Sequence, residues 1–112
     1  MTIRCDDYNG VRVVAVEGDL AGEAVGEAER SVDGALARRG AHGLVFDLGG
    51  CEFVDSAGLE LLCRARRRFE DAGARLTLAR VGPACAKILE VTRLAGRFDC
   101  HADLARALAA AR

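Results

Sequence analysis

Leu44-Val45-Phe46-Asp47-Leu48 leads into Gly49-Gly50-Cys51-Glu52-Phe53-Val54 and then Asp55-Ser56-Ala57-Gly58-Leu59. The first five residues read as a buried strand. The next six form a short polar bend, and Ser56 stands at the mouth of a helix running over 57–72. A serine in that place can cap the helix, attack a substrate, or accept a phosphoryl group. The rest of the chain has to decide among these.

Outward from this stretch, strands and helices alternate. Val11 to Val16 is β-branched and nearly continuous, as in a strand covered on both faces. Ile3 to Tyr8 is expected to pair with it as a hairpin closed by Asn9-Gly10, a strong turn signal. Between Ala21 and Arg39 the residues Val25, Ala28, Val32, Ala35 and Leu36 recur at helical spacing, and Gly40 is expected to stop that helix. In the helix over 57–72, Leu59, Leu62, Cys63 and Phe69 form one stripe, and Gly73 ends it. Arg75 to Val81 alternates as a strand with Leu76 and Leu78 on one face. Pro83 suits the first turn of a helix reaching about Thr92, with Ile88 and Val91 inward. Gly96 to Cys100 is expected as a last short strand. Asp103 to Ala111 is expected as a final helix packing through Leu104 and Leu108. After an opening hairpin, such alternation calls for an α/β fold with a mixed, mostly parallel sheet of about five strands and about four helices.

The chain of 112 residues has the length of one domain, 1–112, with no linker or repeat dividing it. Aromatic residues are few, so the core is expected to rest on Leu, Val and Ala. The formal net charge is −1, without the basic excess of a nucleic-acid binder. Arg64 to Arg68 is the one basic cluster and reads as a solvated helix face. Five cysteines (Cys5, Cys51, Cys63, Cys85 and Cys100) are scattered, odd in number and without a C-x-x-C pair. That argues for free thiols and against a zinc ribbon. His42 and His101 fall in expected turns and make no metal site. No signal peptide or long apolar run is visible, so the expectation is a reducing cytoplasm and no membrane span.

Capping is the plain reading of Ser56, and Asp55 can cap equally well. Capping does not exclude modification. A helix N-terminus offers free N–H groups and a positive dipole end, both favourable to a phosphate. Gly58 keeps bulk away from that end. A hydrolase serine is disfavoured because G-x-S-x-G is absent and neither histidine sits in a triad motif. Gly49-Gly50 lacks the lysine of a phosphate-binding loop. No cofactor is expected, and no enzymatic activity.

Asp55-Ser56-Ala57-Gly58-Leu59 after Phe53-Val54 resembles the phosphorylation motif of STAS domains, the fold of the anti-sigma factor antagonists. The resemblance runs over nearly the whole chain, including Val13 to Leu20, Gly73 to Leu78 and Leu94 to Phe98. It implies the STAS fold for 1–112 and a phosphorylated serine at Ser56. It also implies a partner that is both anti-sigma factor and ATP-dependent serine kinase, and a phosphatase that reverses the modification. The dephosphorylated form would bind the anti-sigma factor and free the sigma factor. Asp55, Ser56, Ala57, Gly58 and Leu59, with Asp19 and Ala21 from the early motif, are the expected partner-binding residues. The family's early motif is often Gly-x-Leu-Asp; here Gly18-Asp19-Leu20-Ala21 puts Ala21 at the aspartate position. Ala57 stands where relatives often carry Ser or Thr, leaving Ser56 as the lone acceptor. A non-switching STAS scaffold, of the stressosome or lipid-transporter type, is the second expectation.

Overall fold

The computed structural model describes residues 2–38, 40 and 42–112. Its elements are β1 (Thr2–Tyr8), β2 (Val11–Glu17), α1 (Glu23–Ala37), β3 (Gly43–Gly50), α2 (Ser56–Asp71), β4 (Arg75–Ala79), α3 (Pro83–Val91), β5 (Asp99–His101) and α4 (Leu104–Ala111). A 3-10 turn over Ala95–Arg97 precedes β5.

The sheet runs β1-β2-β3-β4-β5 in chain order. Only β1 is antiparallel; β2, β3, β4 and β5 pair in parallel. Asn9 and Gly10 both take positive φ, 50° and 88°, as a two-residue hairpin requires. Right-handed crossovers that always step the same way along a sheet leave their helices on one face. Hence α1, α2 and α3 share a face and pack on Val14, Val16, Leu44, Phe46, Leu48, Leu76 and Leu78. The last helix, α4, covers the other face through Ala107 and Ala111, against Val11, Val13, Val45 and Ala79. With both faces covered, β3 is buried from Gly43 to Leu48.

Several expectations shift. Helix α1 begins at Glu23 rather than near Ala21, because Gly22 takes φ 57°, ψ −129°, a region open to glycine alone. It ends at Ala37, where Arg38 turns extended; Gly40 lies beyond that end. On α2 the buried residues are Gly58, Leu61, Leu62, Ala65 and Phe69, with Leu59 and Cys63 only partly covered. Gly73 ends α2 with φ 73°, and the Gly73 and Ala74 N–H groups bond the Glu70 and Phe69 carbonyls at 3.0 and 2.8 Å. Strand β4 stops at Ala79 because Arg80 takes φ 54°.

On α3, Cys85 and Leu89 point inward, whereas Ile88 is half-buried and Val91 is 63% exposed. The expected strand over 96–100 is a 3-10 turn followed by β5, which carries His101 inside it rather than in a turn. Leu104 and Leu108 pack partly buried at the edge of the α4 contact. The sparse aromatics are not peripheral to the core: Phe46 and Phe69 are its largest fully buried side chains. Of the basic run, Arg64, Arg67 and Arg68 lie on an outer face, whereas Arg66 is half-buried over the Phe98 ring, and Arg64–Glu29 (2.9 Å) and Arg68–Asp33 (2.6 Å) tie α2 to α1. Exposed pairs of this kind contribute little each.

Candidate functional site

The loops leaving β2 and β3 meet at the carboxyl edge of the sheet. Gly18 N–H donates to the Gly50 carbonyl at 2.9 Å, and Leu20 N–H to the Phe53 carbonyl at 2.9 Å. The Leu20 carbonyl accepts from Asp55 N–H at 3.3 Å, and Leu20 pairs with Val54 as an isolated parallel bridge. Leu20 and Val54 are buried, so this bridge sits on the core. The segment bearing Asp19 and Ala21 is thereby stitched to the segment bearing Asp55 and Ser56.

Asp55, not Ser56, caps α2. It holds an extended backbone (φ −83°, ψ −179°), and its Oδ1 accepts from Gly58 N–H at 2.7 Å. Ser56 is the first helical residue, exposed, and its hydroxyl has no partner among the described residues. The capping reading therefore passes to Asp55 and leaves the serine oxygen free. Gly58 is buried, and a Cβ there would collide with the Leu20 carbonyl and come within 2.8 Å of Val54 Cγ1. The absent side chain is what lets the first turn of α2 lie on the backbone at Leu20. Leu59 N–H returns to the Asp55 carbonyl at 2.9 Å as the first regular helical bond.

The helix start thus presents a free hydroxyl beside backbone N–H groups at the positive end of a sixteen-residue helix. A phosphate on Ser56 would meet those donors and the dipole favourably, and the Asp55 carboxylate unfavourably. Asp19 and Ala57 are exposed, and Ala21 is half-buried with its carbonyl accepting from Ala24 N–H at 3.2 Å. All seven residues expected from the sequence come together at this edge. None of them sits beside a histidine in a nucleophile–base arrangement among the described hydrogen bonds.

Two further features shape the site. Phe53, immediately before the Val54 bridge, is 47% exposed. Its neighbour Glu52 is exposed as well. Asp47 is a buried carboxylate at the end of β3, accepting from Gly49 N–H (3.0 Å) and from Arg80 Nε and NH2 (2.9 Å each). A Cβ on Gly49 would come within 2.7 Å of Arg80 Nε, so the glycine gives the guanidinium its seat. The Asp47 contact holds Arg80 charged, pushing its pKa up. This clamp fixes the Gly49-Gly50 end of β3, from which the serine loop departs. A lone acid inside the apolar run 44–48 was the available signal for it, since a buried carboxylate needs a partner.

The chain belongs to the STAS domain family, whose model matches residues 2–107. Among curated relatives, the anti-sigma F factor antagonist of Paenibacillus polymyxa is 23% identical over 94 residues, covering 84% of this chain and 80% of the relative. The crystal structure of an anti-sigma factor antagonist from Mycobacterium paratuberculosis is similar with a TM-score of 0.83 and 29% identity, covering 99% of this chain and 93% of that one. The same fold occurs in a sulfate transporter family protein from Wolinella succinogenes, at a TM-score of 0.77, 17% identity, and 91% and 84% coverage.

Proposed function

We propose that this chain is an anti-sigma factor antagonist, switched off by phosphorylation of Ser56 by an anti-sigma factor that is also an ATP-dependent serine kinase. The observation that carries this reading is the division of labour at α2. Asp55 caps the helix and Ser56, exposed at its first position, keeps a free hydroxyl. The whole span 1–112 acts as one STAS domain and supplies no catalytic step. The partner docks over Asp55, Ser56, Ala57, Gly58 and Leu59, with Asp19 and Ala21 at the rim. A phosphatase resets the modified form. The place of action is the cytoplasm; among the described residues no helix is long and apolar enough to cross a membrane.

The new charge lands where the partner must desolvate the helix end, beside the existing Asp55 carboxylate. Ser56→Asp is therefore expected to weaken the complex by about 1–3 kcal/mol, the scale of a charge left unpaired at an interface. Titration calorimetry against kinase-type anti-sigma factors reads this, and equal affinity of both forms would contradict the switch.

Two observations favour a second reading, a non-switching STAS scaffold or transporter accessory. Ala21 replaces the acid expected beside the serine, and the STAS fold is shared with a sulfate transporter family protein. Ala21→Asp separates the two. Faster phosphoryl transfer in that variant shows a slowed switch; no transfer in either protein favours the scaffold.

A further inference from the structure

We propose that Cys51 and Cys85 form a modification site, which a peroxide oxidises to an intramolecular disulfide tying the β3–α2 loop to the first turn of α3. Cys51 opens the loop that carries Phe53, Val54 and Asp55; Cys85 is the third residue of α3. Their sulfurs lie 3.9 Å apart, and the Cys85 thiol donates to the Cys51 carbonyl at 3.1 Å. A disulfide spans about 2.05 Å, so the sulfurs must close by roughly 2 Å, within reach of side-chain rotation. Among the described residues no other pair of thiols is in contact. Cys5 instead donates to Ser31 Oγ at 3.0 Å, and Cys100 lies exposed on β5.

Burial sets the order of events. Cys85 is 1% exposed and Cys51 4%. Burial pushes the Cys85 thiol up to about 12, with the Cys51 sulfur beside it the next cause and Asp19 and Glu52 adding to it. Cys85 is therefore protonated at neutral pH, and Cys51, the less buried of the two cysteines, is the first to meet the peroxide. Its sulfur attacks one peroxide oxygen, the O–O bond breaks, and a sulfenic acid and one water (or alcohol) result. The Cys85 sulfur then attacks the Cys51 sulfur. The S–S bond forms, the S–O bond breaks, and hydroxide leaves with the thiol proton as water. Two sulfurs give two electrons and one peroxide takes them. Contact between the two sulfurs replaces an encounter in this step. A dithiol reductant reverses the bond.

The bond would hold the loop in front of Ser56; any effect on phosphorylation rests on the proposed switch. Hydrogen peroxide treatment of Cys5→Ser/Cys100→Ser protein, with non-reducing digestion and mass spectrometry, tests the chemistry. Three of the five thiols remain there beforehand. The expected product is one linked peptide pair carrying Cys51 and Cys85, lighter by two hydrogens, with one free thiol left on Cys63. Dithiothreitol should restore the starting count. Three persisting thiols, sulfinic acid on Cys51 without the link, or a link through Cys63 would each overturn the proposal. Amide exchange over residues 51–55 should slow by about tenfold in the oxidised protein; unchanged exchange would overturn the tie. Neither readout uses a kinase, so failure here leaves the Ser56 reading standing, and the converse holds.

Discussion

Helices α2 and α4 open with the same local device. Asp55 Oδ1 accepts from Gly58 N–H at 2.7 Å, and Asp103 Oδ1 from Arg106 N–H at 2.8 Å. The first turns behind the two caps differ. Behind Asp103 comes Leu104, which turns partly into the core, and Arg106, which returns to Asp103 at 3.6 Å in solvent. Behind Asp55 comes Ser56, exposed with a free oxygen, and Gly58, buried against the Leu20 carbonyl. A capped helix start is common and carries no function by itself. A capped start whose first residue is a free serine, pinned from below by a second loop, is a presented group.

The contrast between the two helices breaks most easily from underneath. Leu62→Ala, beneath α2 and fully buried, is expected to cost about 3 kcal/mol, and Leu108→Ala on α4 clearly less because that side chain is only partly covered. Urea unfolding of both variants checks the ranking; equal losses would mean that the two helices are held alike. Gly58→Ala comes next, at about 2 kcal/mol, since the new methyl must push the Leu20 carbonyl away. A neutral Gly58→Ala would show that the first turn of α2 is not pinned. Removing the caps sharpens the contrast. Asp55→Ala should cost about 1.5 kcal/mol, and Asp103→Ala about 0.7, because the former also loosens the Leu20–Val54 stitching. The smallest effect belongs to Ser56→Ala, expected within about 0.5 kcal/mol of the parent, because the hydroxyl holds nothing. A larger loss would return the serine to a structural role.

Much of this was legible in the sequence, for identifiable reasons. The hairpin was written in Asn9-Gly10, the buried strand in Leu44 to Leu48, and the end of α2 in Gly73, each a local signal with one physical meaning. The choice of cap was not legible. Asp55 and Ser56 are both good caps, and the register of the helix is fixed by Gly58 meeting Leu20, a contact across 38 residues of chain. Val91 misled because it lies three residues from Ile88 on one face, while the short α3 turns the Cys85–Leu89 face inward instead. Phe53 escaped because it falls in a stretch that reads as a polar bend; only the tertiary bridge at Leu20 takes Val54 in and leaves Phe53 out. The Asp47–Arg80 clamp needed a partner 33 residues away in a left-handed backbone position that no local pattern announces.

The exposed serine at the start of α2 is the group on which the proposed switch turns. Incubation of the native chain with ATP and a panel of kinase-type anti-sigma factors, followed by site-resolved mass spectrometry, tests it most directly. One phosphate is expected, on Ser56, with none incorporated into Ser56→Ala protein of unchanged fold. Phosphate on another residue, or no modification of Ser56 by any kinase of the panel, would contradict it.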